Sequence, residues 1–159
     1  MAIVIQVNRQ SDKPEVYDDI SGKIWSIEEL EPIASDGDVN VQCIMGDVYN
    51  SGASYNPEQA AWWYEQASDR GHAEAQGRLG LMYIIGDGVD QNLSKAKVLL
   101  EKSAAQGCAD GYFGLGGYYG LVKFDLVSAK YYLEKAVGGG HLYAKAILFT
   151  VLRMLDSDK

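Results

Sequence analysis

The sequence predicts an all-α fold: a short right-handed α-solenoid of antiparallel helix pairs. Three observations carry this. Apolar residues recur at helical spacing, one block repeats in register along the chain, and each block ends on a glycine. Those closing glycines, Gly71, Gly107 and Gly140, lie 36 and 33 positions apart.

The first helix of each block, helix A, is read in "DVNVQCIMGDVY" (38–49), "HAEAQGRLGLMY" (72–83) and "CADGYFGLGGYY" (108–119). Met45, Leu79 and Leu115 align, followed by Gly46, Gly80 and Gly116 and then by Tyr49, Tyr83 and Tyr119. Val41, Ala75 and Gly111 sit earlier on the same face. Steps of three to five residues trace one side of an α-helix. A small residue in such a stripe marks a close approach to a neighbouring helix, where added atoms cost about 1–3 kcal/mol.

The second helix, helix B, is read in residues 56–71, 92–107 and 125–140, which align without gaps. Ala60, Ala96 and Ala129 match, as do Trp63, Leu99 and Tyr132, and Tyr64, Leu100 and Leu133. Asn56, Asn92 and Asp125 begin these helices, because their side chains accept a free backbone N–H at the N-cap. Pro57 fits the first helical position, where no N–H is needed. Glycine at the far end reaches positive φ and stops the helix.

Two partial elements flank the repeats. Residues 25–37 read as a leading helix with a Ser26–Glu29 capping box, which Pro32 is expected to kink or delay. Residues 141–159 read as a closing helix A. The organisation is thus an extension (1–24), the leading helix (25–37), repeats over 38–71, 72–107 and 108–140, and the closing helix (141–159). The stretch "AIVIQV" is open between a strand that pairs with a partner and a tail laid on the array.

"AEAQGRLGLMYIIGDGVDQNLSKAKVLLEKSAAQG" (73–107) resembles the Sel-like repeat (SLR) family, a relative of the tetratricopeptide repeats. It carries that family's A-x-A, L-G-x-M-Y, G-x-G-V, K-A and A-x-x-G positions. The turns "NSGASYNP" and "GLVKF" depart from the pattern. The resemblance implies protein–protein interaction on a concave surface, with no chemistry and no cofactor or metal. It also implies bacterial roles, either as an immunity protein that neutralises a toxin or as an adaptor or regulator of a signalling or secretion assembly.

Charge narrows the partner. Acidic residues outnumber basic ones 22 to 14, for a net charge of −8. Nucleic-acid binding needs a basic stripe, and an anionic membrane repels such a chain. A basic protein partner fits, since opposite fields speed encounter, and the same acidity reads equally as what keeps the chain soluble. The sequence shows neither a signal peptide nor a membrane-length apolar run, so a cytoplasmic location is expected.

"GYFGLGGYYG" (111–120) fails as a dinucleotide loop, because the third glycine would stand where Tyr119 stands and no strand precedes it. Gly111, Gly114 and Gly117 exceed what the repeat requires, so helix A of repeat three is expected to be short or irregular. His72 and His141 share one repeat position and read as structural. Asp87, Asp90 and Asn92 read as turn and cap residues. "DGDVN" lacks the glycine that a calcium loop needs. Cys43 and Cys108 lie in separate units and read as free thiols. Among the aromatics beside the core positions, Trp62, Tyr112, Tyr118 and Tyr131, some must be exposed.

A stripe one residue before the core stripe is the candidate partner surface: Asn40, Ile44 and Asp47, then Glu74, Arg78, Leu81 and Ile85, then Asp110 and Gly114. Its mix of apolar and acidic residues reads as a binding groove ahead of an ordinary half-buried helix flank. The closing helix is apolar at Leu142, Ile147, Leu148, Val151, Leu152 and Leu155. Any surplus over what covers repeat three predicts self-association.

Overall fold

The computed structural model describes residues 16–17, 22–51 and 54–157. The "AIVIQV" stretch lies outside them. Two short strands, β1 (Val16–Tyr17) and β2 (Ile24–Trp25), pair antiparallel, with Val16 opposite Trp25 and Tyr17 opposite Ile24. The helices that follow are α1 (Ile27–Ser35), α2 (Val39–Tyr49), α3 (Pro57–Asp69), α4 (Ala73–Ile85), α5 (Leu93–Ala105), α6 (Ala109–Gly117), α7 (Leu126–Gly138) and α8 (Ala144–Ser157). The fold is an all-α array of helix pairs: α2 with α3, α4 with α5 and α6 with α7.

The helix ends follow from the sequence. Asn56, Asn92 and Asp125 accept the backbone N–H of Gln59, Lys95 and Ser128. The same cap residues donate their own N–H to the carbonyls of Tyr49, Tyr83 and Tyr119 at 2.8–2.9 Å, fixing the turn from helix A to helix B. Helices α1, α3, α5 and α7 end on Gly37, Gly71, Gly107 and Gly140, each at positive φ. The residue after each glycine donates back to the carbonyl five positions before it, the Schellman closure. Ser26 and Glu29 form the capping box of α1. That helix runs through Pro32 rather than starting after it.

The chain divides into two compact units, Met1–His72 with Asp87–Val89, and Ala73–Gly86 with Asp90–Lys159. In the first, Val16, Leu30, Ala34, Val41, Ile44, Met45, Val48 and Trp63 form the core. A Cβ on Gly46 would lie under 3.0 Å from three ring atoms of Tyr64, so α2 and α3 meet there. Gly88 abuts the backbone of Pro57, and Tyr55 Oη donates to the Asp87 carboxylate at 2.9 Å. This hydrogen bond raises the Tyr55 pKa.

In the second unit Gly80 meets Leu100 and Gly116 meets Leu133, with Cβ distances of 2.7 Å to each Cγ. Tyr64, Leu100 and Leu133 are register equivalents, so one contact is built three times. Helix α6 is short, as expected, and passes into a π-helical segment at Tyr118–Val122. Two of its glycines are not surplus, contrary to the sequence reading. A Cβ on Gly111 would lie 2.5 Å from Ala104 N, and one on Gly114 would strike Leu100. These residues let α6 lie directly on α5. Of the α6 glycines, Gly117 is the one with open space.

Candidate protein-interaction surface

In the first unit the proposed stripe is mostly structural. Asn40 is exposed, and its Oδ1 lies 3.2 Å from His72 Nε2. Asp47 accepts a hydrogen bond from the buried Tyr64 Oη at 2.6 Å, which locks the ring against Gly46. Ile44, expected on the exposed stripe, is 7% exposed and belongs to the core.

In the second unit Glu74 is exposed and Leu81 half-buried. Ile85, at the C-terminus of α4, is 67% exposed. Gly114 is buried against Leu100 and presents nothing to solvent, which removes it from the predicted surface. Ile44, Arg78 and Gly114 occupy one repeat position. Two of them are buried and the third is half-buried and ion-paired. In the second unit α6 packs against its own helix B (α7), the preceding helix B (α5) and the neighbouring helix A (α4), so its buried arc exceeds one stripe.

Asp110 joins three elements of this unit. Arg78 Nε donates to its Oδ2 at 3.0 Å, and His141 Nε2 lies 3.4 Å from its Oδ1. Phe113 stacks on the His141 ring at 3.9 Å. Gly77 makes room for this meeting, since a Cβ there would lie 2.9 Å from Asp110 Cβ. Burial lowers the His141 pKa and Arg78 lowers it further, against the opposing pull of Asp110. His141 Nδ1 is buried without a hydrogen-bond partner, so a proton added there has no acceptor. The arrangement fixes Asp110 between the Arg78 guanidinium and an imidazole whose burial disfavours its charged form.

The repeat register carries a signal for this clamp. Asn40 and Asp110 hold one position of helix A, His72 and His141 hold the first position of the next block, and each pair is in contact. Outside helix A, Trp62, Val98 and Tyr131 occupy one helix B position and are each about half exposed. Tyr118 is buried and Tyr112 half-buried. Cys43 is buried and Cys108 half-buried, and neither forms a disulfide among the described residues. Among the described residues no helix is long and apolar enough to cross a membrane.

Capped helix pairs, repeated in register and joined through small residues, define a tandem helix-repeat protein. The Sel1 repeat family matches residues 40–72, 73–108 and 109–141, and the chain belongs to that family. Its repeats are in general protein-interaction modules on a typically non-catalytic scaffold. Among solved structures the chain is similar to a protective antigen present in uropathogenic Escherichia coli strains displaying an SLR fold, at 26% identity and TM-score 0.62. That match covers 74% of this chain and 26% of the antigen. It is also similar to a Sel1 repeat protein from Oxalobacter formigenes, at 26% identity and TM-score 0.60, covering 77% of this chain and 52% of that one. The chain therefore spans about a quarter and about half of the lengths of these two proteins.

Proposed function

We propose that this chain binds a basic partner protein through the exposed side of helix A in its second unit. The observation that carries the reading is Ile85, an apolar side chain left 67% exposed at the end of α4. Leu81 lies one turn before it and the exposed Glu74 lies at the start of the same helix. Leu121, the register equivalent of Ile85, is 73% exposed. Apolar anchors beside charged groups are the usual composition of an interface. The net charge of −8 favours a basic partner.

A toxin neutralised by binding is one partner of this kind, and the chain is then an immunity protein. An adaptor in a bacterial signalling or secretion assembly is the other reading. Affinity capture with the wild-type chain and with Ile85→Asp tests the surface. The partner is retained by the wild type, and its capture falls at least about tenfold in the variant, as expected for losing one interface anchor, while helicity is unchanged. Equal retention by both would refute the surface. Co-expression separates the two roles: an immunity protein restores growth to cells producing the captured partner, and an adaptor does not.

A further inference from the structure

Helix α8 (Ala144–Ser157) turns Ala144, Leu148, Val151 and Leu155 inward. A second stripe faces solvent: Lys145, Phe149, Leu152 and Asp156, at steps of four, three and four. This spacing places all four on one side of the helix. Phe149 is 63% exposed and Leu152 37%, and both charged residues are exposed.

The repeat register shows what this side does elsewhere. Phe149 aligns with Gly46, Gly80 and Gly116, and Leu152 with Tyr49, Tyr83 and Tyr119. At the glycines, helix B comes close enough for Tyr64, Leu100 and Leu133 to fill the space of a missing Cβ. A phenylalanine there forbids that approach, so α8 cannot accept a helix B in the manner of the other repeats. The apolar side chains nevertheless remain on the surface.

The stripe is complementary to itself. A two-fold axis midway between Phe149 and Leu152 exchanges Phe149 with Leu152 and Lys145 with Asp156. Two antiparallel copies therefore place each apolar residue on the other kind and each cation on an anion. We propose that α8 pairs with α8 of a second copy of this chain in an isologous contact. The paired length, Lys145 to Asp156, is about 16 Å at ~1.5 Å per residue. Four side chains per copy cover less than the ~800 Å² per partner of a stable interface, so the pairing is weak and depends on concentration.

Sedimentation equilibrium of the whole chain, from about 1 to about 500 µM, spans the range of weak association. The wild type passes from monomer to dimer across the range. Lys145→Glu sets like charges at both ends of the contact and weakens association about tenfold, and Asp156→Lys does the same. The double variant restores the pairing to within about threefold of the wild type. Phe149→Glu abolishes the dimer with helicity unchanged. A monomer at every concentration would overturn the proposal, and so would a dimer indifferent to Lys145→Glu or a double variant no tighter than either single one. None of these results bears on the partner surface of α4, which Ile85→Asp tests separately.

Discussion

Gly46→Ala is the sharpest test of the contact that the repeat is built around. The new Cβ would lie under 3.0 Å from three ring atoms of Tyr64. That ring is fully buried, and its hydroxyl is held by Asp47 at 2.6 Å, so it cannot swing aside without losing the hydrogen bond. Overpacking of this severity belongs at the upper end of the usual range, about 3 kcal/mol. Alanine regains about 1 kcal/mol of helix propensity over glycine, which leaves a net loss of about 2 kcal/mol. At Gly80 and Gly116 the obstacle is a leucine, whose branch can rotate, and the net loss should be about 1 kcal/mol. Gly117→Ala is the internal control. Its Cβ meets nothing within 4 Å, so only propensity acts, and the variant should gain about 0.5–1 kcal/mol. Urea unfolding followed by far-UV circular dichroism reads all four as shifts in midpoint, provided the slope is unchanged. A Gly46→Ala midpoint at or above that of the wild type would refute the close-approach reasoning, as would a Gly117→Ala midpoint below it.

Two further predictions concern the helix end and the clamp. Gly71 sits at φ +88° with open space around it. Gly71→Ala should therefore cost about 1–2 kcal/mol through backbone conformation alone, and an unchanged urea midpoint would contradict the Schellman closure of α3. His141 has a lowered pKa, chiefly from burial. The unfolded chain then binds the proton more readily than the folded one, so stability is intact above the ordinary imidazole value of 6.5 and declines as the pH falls below it. His141→Asn should lose less stability than the wild type between about pH 7 and pH 5, and parallel curves in thermal melts would remove this role.

What the sequence disclosed and what it hid have separate physical causes. Gly46, Gly80 and Gly116, the caps Asn56, Asn92 and Asp125, and the terminal glycines were legible because each answers a local demand of one helix or one turn. Such demands recur at fixed spacing. Ile44 and Gly114 were misplaced because their burial depends on helices from neighbouring repeats, which no single helical wheel contains. Gly111 and Gly114 looked like excess for the same reason: their partners, Ala104 and Leu100, belong to the helix before them. The short α6 could be read from its glycine content. The π-helical segment at Tyr118–Val122 could not, since nothing in its composition marks it.

The clamp at Asp110 decides which residues remain available to a partner. Arg78 and Asp110 were read as surface charges, yet each is committed to the other, and Asp110 also to His141. Recruiting either for a ligand would first break a contact that joins α4 to α6. Ile85 carries no such obligation. Burying it against a partner removes apolar surface from water and breaks no internal hydrogen bond, and the same holds for Leu121. Binding in this repeat is therefore expected where stacking has no use for the side chain, at the ends of helix A rather than along its middle. The position shared by Ile44, Arg78 and Gly114 belongs to the scaffold.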